Sequence, residues 1–331
     1  MLSTGIRRQP EAAESRTVIR FHDVERGAHA SDAARLLRDS WGPPCLRYSD
    51  AYVRWQLTFP AAVPARAVVA SDGGRTIGFA ALIPRQISTA NGQAVIYVMT
   101  FFAVHPDYRG ARIGAELARR IIEMSDRPVV TFTEPGSRSE RAIAQSASAR
   151  GWTFRHMAAL RTYAGGQAPQ PESSIVARRA TAEEFVAATK NHEPTPVAWS
   201  EPTLEQARHY LSDPRGSCLA VAQGAHGETL GAAVIVRSEL LTAEGAEDVP
   251  ALDMVRAHDR HAAVLGAFRR FALERSRGSS VVTAPNLDVV PASAVRQAGF
   301  RATRSVFNVA ILGHPAEPIT SEVVSTDLEV F

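Results

Sequence analysis

An α/β fold in two domains, each a mixed central sheet flanked by helices, is predicted by three observations. The chain has 331 residues, too many for one typical domain and suited to two of roughly 150 residues. The stretch Gly165-Gly166-Gln167-Ala168-Pro169-Gln170-Pro171 joins two glycines and two prolines without an apolar period, as a domain boundary does. The two sides of that stretch also repeat one another in order. Gly78 in Thr76-Ile77-Gly78-Phe79-Ala80-Ala81 and Gly231 in Thr229-Leu230-Gly231-Ala232-Ala233-Val234 are 153 residues apart. Val129-Val130-Thr131 and Val281-Val282-Thr283 are offset by 152, and Ala149-Arg150-Gly151-Trp152 and Gln297-Ala298-Gly299-Phe300 by 148. Near-constant offsets imply a duplicated domain. The expected division is a first domain over 17–165, a linker over 166–172, a second domain over 173–314 and a tail over 315–331.

Each element of the first half has a local reason. Residues 1–16 are polar and predicted to fray. Thr17 to Phe21 reads as a strand and Ser31 to Ser40 as an amphipathic helix. Ala67 to Ala70 and Thr76 to Gln86 form a hairpin about Asp72-Gly73-Gly74. The apolar run from Val95 to Val104 has the length and composition of a buried strand, and Pro106 stops it. Gly114 to Met124 carries Leu117, Ile121 and Met124 at helical spacing. A strand over Val129 to Thr133 and a helix over Ser139 to Arg150 follow, and Tyr163 ends the final strand. In the tail, Pro315 and Pro318 mark an appendage or a docking strand.

Composition excludes several classes of function. Hydrophobic content of 45% with 21% charged residues is that of a folded globular chain, not a disordered one. The net charge of +3 comes from scattered arginines, with Lys190 the single lysine, so no basic stripe for nucleic acid is present. Cys45 and Cys218 fall in different halves without metal-ligand spacing, which fits a reduced, cytoplasmic setting. No apolar run reaches the ~18 residues of a membrane span. The chain is therefore expected to be soluble, without nucleic acid, membrane or metal among its partners.

The segment that carries chemistry is a buried strand followed by an Arg/Gly turn and a helix. Glycines let the backbone approach a ligand closely, and the free N–H groups of a helix N-terminus face an anion. Arg109 and Arg112 add charge-assisted donors. This is a pyrophosphate-binding arrangement. The stretch from Ala103 to Ala115, with Arg109-Gly110-Ala111-Arg112-Ile113-Gly114 at its core, resembles the acyl-CoA signature of the GNAT superfamily, Arg/Gln-x-x-Gly-x-Gly/Ala after a strand ending Val-x-Pro. Arg112 departs from it by replacing the middle glycine. The resemblance covers residues 17 to 163 and implies two GNAT-like domains. It further implies acyl-coenzyme A bound by Phe102, Ala103, Val104, Arg109, Gly110, Ala111, Arg112, Ile113, Gly114 and Ala115, with acetyl-CoA or another acyl-CoA as co-substrate and an amine as acceptor.

The resemblance also implies a glutamate on the strand before the turn and a tyrosine in the last helix, and neither is present. The strand offers only Tyr97 and Thr100 as polar members, and the helix offers Ser146 and Ser148. Glu134, closing the strand Val129 to Thr133, is the remaining carboxylate near the expected thioester, with a helix cap as the competing reading. Tyr108 and His105 read as structural members of the turn. Trp41, Tyr48, Tyr52, Trp55 and Phe59 lie where the family places the helices that cover the acceptor. Of these Trp41, Tyr52 and Trp55 are the candidate acceptor contacts, with core packing as the alternative, and Asp50 is a candidate partner for a cationic acceptor.

In the second half the matching segment, Ala251 to Gly266, lacks the Arg-x-x-Gly-x-Gly turn. That copy is expected to be degenerate. His258 and His261 are open to metal ligation but have no third ligand nearby. The expected function is N-acyltransfer from coenzyme A to the amine of a small molecule. The alternatives are a non-catalytic acyl-CoA-binding or partner protein, and an aminoacyl-tRNA-dependent transferase.

Overall fold

A computed structural model describes residues 19–25, 27–43, 45–89, 92–167, 174–190, 198–200, 202–276, 278–284, 287, 290–317 and 326–327. The expectations for residues 1–16, for Thr17 at the start of the first strand, for 168–172 of the linker and for the tail from Pro318 outside 326–327 lie outside the described residues.

The first half runs β1 (Arg20–Glu25), α1 (Ala30–Ser40), β2 (Cys45–Leu46), α2 (Asp50–Leu57), β3 (Arg66–Asp72), β4 (Arg75–Thr89), β5 (Gly92–Val104), a 3-10 turn (Pro106–Tyr108), α3 (Ile113–Glu123), β6 (Val129–Thr133), α4 (Arg138–Ala149) and β7 (Thr153–Gly166). The second half repeats the order as β8 (Val176–Arg179), α5 (Ala182–Lys190), β9 (Ala198–Ser200), α6 (Leu204–Leu211), β10 (Cys218–Gln223), β11 (Thr229–Leu241), β12 (Ala246–Ala257), α7 (His261–Arg275), β13 (Val281–Ala284), α8 (Ala292–Gln297) and β14 (Phe300–Gly313). A short β15 (Thr326–Asp327) follows and pairs in parallel with β9, the docking strand of the two readings of the tail.

Local chemistry sets the helices. α1 buries Ala30, Ala33, Ala34, Leu36 and Leu37 along one stripe. α3 does the same with Ile113, Leu117, Ala118, Ile121 and Ile122. The N-cap hydroxyls of Ser49, Ser137 and Thr203 accept from Tyr52, Glu140 and Gln206 backbone N–H groups, starting α2, α4 and α6.

The strands form one sheet in the order β1-β3-β4-β5-β6-β14-β7-β13-β12-β11-β10-β8. The closing strands of the two halves are exchanged. β6 pairs with β14 of the second half, Val130 opposite Ile311, and β7 of the first half pairs with β13, Gly165 opposite Val282. The two repeated units are therefore not contiguous in sequence. Gly165 and Gly166, which open the expected linker, instead end β7. A Cβ on Gly165 would stand 2.9 Å from the Phe300 ring and 3.0 Å from Arg269 Cδ, so only glycine lets the strand pass there.

A pseudo-two-fold relation joins the halves at their rims. β2, between α1 and α2, pairs with β11 at Leu240 and Leu241, while β9, between α5 and α6, pairs with β4 at Ile87 and Ser88. One apolar cluster on this side of the sheet runs through both halves, from α1 and α2 to α5 and α6. On the other side α3 and α4 cover β3 to β6, and α7 and α8 cover the second half, as separate clusters.

Candidate acyl-CoA cleft and acceptor face

A bulge in β5 opens the sheet. Phe101 has φ of 55°, and the ladder with β4 slips from Phe79–Ala103 to Ala81–Thr100 around it. On its other edge β5 pairs in parallel with β6 only as far as Met99–Thr131. Beyond that rung the strands diverge, and among the described residues no strand pairs the β6-facing edge of Phe102, Ala103 and Val104. The bulge also sends neighbouring side chains to opposite layers: Phe102 and Val104 pack toward α3, Phe101 and Ala103 toward α1 and α2.

The turn after β5 is braced on every side. The His105 N–H donates to Ile77 O at 2.8 Å, its Nδ1 accepts from Asp107 N, and its Nε2 meets Arg75 Nη2 at 2.7 Å. The Tyr108 hydroxyl donates to Asp72 at 2.7 Å, and that bond raises the phenol's pKa. His105 and Tyr108 thus brace the turn. Gly110 takes φ of 98° and Arg112 takes the left-handed φ of 60° as N-cap of α3. Replacing the motif's middle glycine by Arg112 therefore keeps the turn geometry, at the ~1–2 kcal/mol that a side chain costs in this region. The first backbone N–H groups of α3, from Ile113 to Ala115, have no acceptor within the helix. The positive helix end lies beside the end of β5, where a Cβ on Gly114 would meet Val104 and Phe102. Gly78 seats the helix there: a Cβ on it would lie 2.9 Å from Leu117 and 3.0 Å from Ile113. Arg109 donates to Ser40 O at 2.6 Å, which ties the turn to the end of α1.

On the α1–α2 side, Tyr48 touches Trp41 (ring centroids 5.5 Å), Phe101 (5.7 Å) and Tyr52 (5.9 Å). Trp41 and Tyr48 are half-buried, and Tyr48 stands on the bulge itself. Burial pushes its phenol well above the ordinary value, with Tyr52 adding to the shift and Arg215 opposing it. Tyr52 and Trp55 turn inward. Tyr52 accepts from Gln56 and lies under the Arg215 guanidinium at 3.8 Å. Trp55 stacks on His209 at 4.7 Å and exchanges two hydrogen bonds of 3.0 Å with it. Trp55 locks α2 to α6, which makes it a contact between halves. Asp50 is exposed and near Arg38 at 3.7 Å.

The proposed catalytic residues do not converge. Thr100 is half-buried at the rung before the bulge, and Glu134 is exposed where β6 ends, its carbonyl accepting from Ser137 N. Tyr97 is fully buried nearer the closed end, pairs with Val129 and donates its hydroxyl to Pro64 O at 3.3 Å. Ser146 and Ser148 lie near the far end of α4 from this opening. Sequence reasoning passed over Glu140. Its carboxylate is 8% exposed and accepts from Asn308 Nδ2 at 2.8 Å, Gly136 N at 2.6 Å and Thr133 Oγ1 at 3.4 Å. The Ser137-x-x-Glu140 spacing signals a helix cap, but its Asn308 partner arrives by strand exchange and has no local signal.

The second half keeps the bulge, with Met254 at φ of 48°, and a left-handed N-cap, Arg260, on α7. It lacks the cleft. β12 reaches α7 through 258–260 alone, and Leu287 and Val290 are buried in the cluster that holds Val255 and Ala257. The corresponding Glu134 and Pro135 of the first half are exposed. Burial lowers the pKa of His258, and among the described residues no group of three His, Cys, Asp or Glu side chains could hold a metal. No helix of the described residues is long and apolar enough to cross a membrane.

Comparison with known proteins agrees with this geometry. Residues 30–139 match the model of the acetyltransferase (GNAT) family. A search of curated proteins gave no match. Among solved structures, N-myristoyltransferase of Saccharomyces cerevisiae with bound myristoyl-CoA superposes with a TM-score of 0.62 at 12% identity, covering 91% of this chain and 80% of that one. A tandem GNAT protein from the clavulanic acid biosynthesis pathway gives 0.61 at 16%, covering 89% and 98%. A putative acetyltransferase from Pyrococcus horikoshii gives 0.59 at 13%, covering 97% and 96%. At such identities these likenesses speak for the fold, and the family match for the chemistry. Residues 30–139 thus match a GNAT acetyltransferase domain, and the chain as a whole shares the fold of a tandem GNAT protein.

Proposed function

We propose that the first half binds acetyl-CoA, or another short acyl-CoA, and transfers the acyl group to the amine of a small molecule on the α1–α2 face. The observation that carries this reading is the opened edge of β5 leading into the turn from Arg109 to Ala115. Pantetheine laid along Phe102–Val104 would bond to unpaired backbone groups, and its pyrophosphate would meet the N–H groups of Ile113, Gly114 and Ala115. A short acyl group is favoured because the closed end of the cleft is packed: Tyr97, Met99 and Val129 are all buried there.

In the reaction the neutral amine attacks the thioester carbonyl, and a backbone N–H of the bulged strand stabilises the oxygen as it gains charge. The amine's proton leaves to Glu134 or a water it orders, the C–S bond breaks, and the thiolate takes up a proton. Thr100 is the nearer of the two alternative relay residues, since the Tyr97 hydroxyl is engaged toward Pro64. Acceptor contact falls to Trp41 and Tyr48, with Tyr52 and Trp55 supporting them from behind. Thioester consumption across a panel of amines tests the reading. Acyl-CoA binding without turnover of any amine would overturn it.

A further inference from the structure

We propose that Asn308, delivered from the second half by the exchanged strand, is a positioning residue of the acyl-CoA cleft. It fixes the Glu140 carboxylate that holds the β6 wall of the cleft and the turn beyond it. The inference rests on the first-half cleft described above.

Thr133 lies two residues past the last rung between β5 and β6, so it belongs to the diverging wall. Asn308 is its register partner on β14. The Glu140 carboxylate binds the wall through Thr133, the turn through Gly136 N, and the second half through Asn308. Without a donor a buried carboxylate is unfavourable, so its position follows that of its partners. Burial works to raise the Glu140 pKa, and Asn308, Gly136 N, His156 and Thr133 outweigh it, holding the group below the ordinary carboxylate range. The titratable and charged groups nearby are His156 on β7, 3.7 Å from Glu140, Arg141 on α4, which donates to Gly136 O, and Glu134 in the turn. The cleft of one half is thus completed by an amide from the other, and the link is a single donor–acceptor pair that can be reversed.

The test is calorimetric titration of acetyl-CoA into the full chain at ~pH 8 and ~pH 5.5, each variant expressed as a ratio to wild type at the same pH. Asn308→Asp sets two carboxylates against each other and should weaken binding roughly tenfold at pH 8, recovering at pH 5.5 as the pair shares a proton. The double variant Glu140→Gln/Asn308→Asp restores one donor and one acceptor in reverse and should bind within about threefold of wild type at both pH values. A merely structural role would lower the melting temperature without this pH dependence or this rescue. A folded Asn308→Asp protein that keeps wild-type affinity at pH 8, or a loss the double variant does not recover, overturns the proposal. If Asn308→Asp does not fold, Asn308→Ala removes the donor without adding charge, and unchanged affinity in that variant overturns it equally. Failure of the wild type to bind acetyl-CoA would instead refute the cleft itself.

Discussion

Replacing Gly114 by glutamate separates the cleft's anion site from its scaffold. Gly114 is the second residue of α3, and a Cβ built on it would lie 3.7 Å from Val104 Cγ2 and 3.9 Å from the Phe102 ring, ordinary contact distances. A side chain at this position therefore fits the fold while pointing toward the strand along which pantetheine and pyrophosphate are proposed to run. A carboxylate about 5 Å from a phosphate charge, at an effective dielectric near 20, opposes it by ~3 kcal/mol before screening. With screening, about 2–3 kcal/mol remains, or roughly 30- to 160-fold in Kd. Gly114→Ala supplies the same Cβ without charge and should bind within about threefold of wild type, since the backbone N–H donors are kept. Acetyl-CoA titration at low and high salt is the assay, with circular dichroism confirming the fold. Part of the loss in Gly114→Glu should disappear at ~0.5 M salt, where the Debye length is under about 5 Å. A folded Gly114→Glu chain that binds like wild type would show that the phosphates do not meet α3.

Coenzyme A titrated into the intact chain should saturate at one site, because the segment from Ala251 to Gly266 lacks the Arg-x-x-Gly-x-Gly turn; two equivalent sites would refute that. Glu134→Gln should lower turnover by ~100-fold or more with little change in coenzyme A affinity if Glu134 is the base. The same rate and the same acidic limb in the pH–rate profile would return it to a turn residue. Trp55→Ala should cost ~3–5 kcal/mol in urea unfolding, since it removes a buried ring and its bonds to His209. A cost under ~1 kcal/mol would show that α2 and α6 do not depend on it. Burial lowers the His209 pKa, with Arg85 acting in the same direction, so the folded state prefers the neutral imidazole. As pH falls through the unfolded value near 6.5, the unfolded chain takes up this proton first, and stability drops until the folded pKa is passed. His209→Gln should flatten that part of the melting-temperature profile, and an unchanged slope would remove His209 as the cause.

Much of the first half was legible because its signals are local. The apolar run ended by Pro106, the stripe of α3 and the hairpin about Gly73 and Gly74 each depend on neighbours in sequence. The duplication was legible for the same reason, since each copy keeps its own local pattern. The exchange of β7 and β14 was not legible, because either strand satisfies the same apolar pairing and nothing within it names its neighbour. Gly165 carries a second role that the sequence does not announce: besides standing next to the expected linker, it allows the close approach of Phe300. The aromatic stretch divided: Trp41 and Tyr48 stay half-buried beside the β5 bulge, whereas Trp55 turns away because α6 offers it a stacking partner 154 residues distant. Glu140 escaped notice since a cap and a cleft-wall carboxylate have the same local sequence.

The crossed closing strands also set a timetable for the nascent chain. When β6 leaves the ribosome its outer edge has no strand to pair with, and its partner β14 lies at Phe300–Gly313, after nearly the whole second half. At ~5–20 residues per second that edge stays open for about 10–30 s or more. An unpaired strand as apolar as Val129-Val130-Thr131-Phe132-Thr133 is a template for wrong partners during that interval, including β6 of another growing chain. Synthesis rate, and any chaperone that shields the edge, should therefore govern the yield of folded protein more strongly than the stability of the finished sheet does.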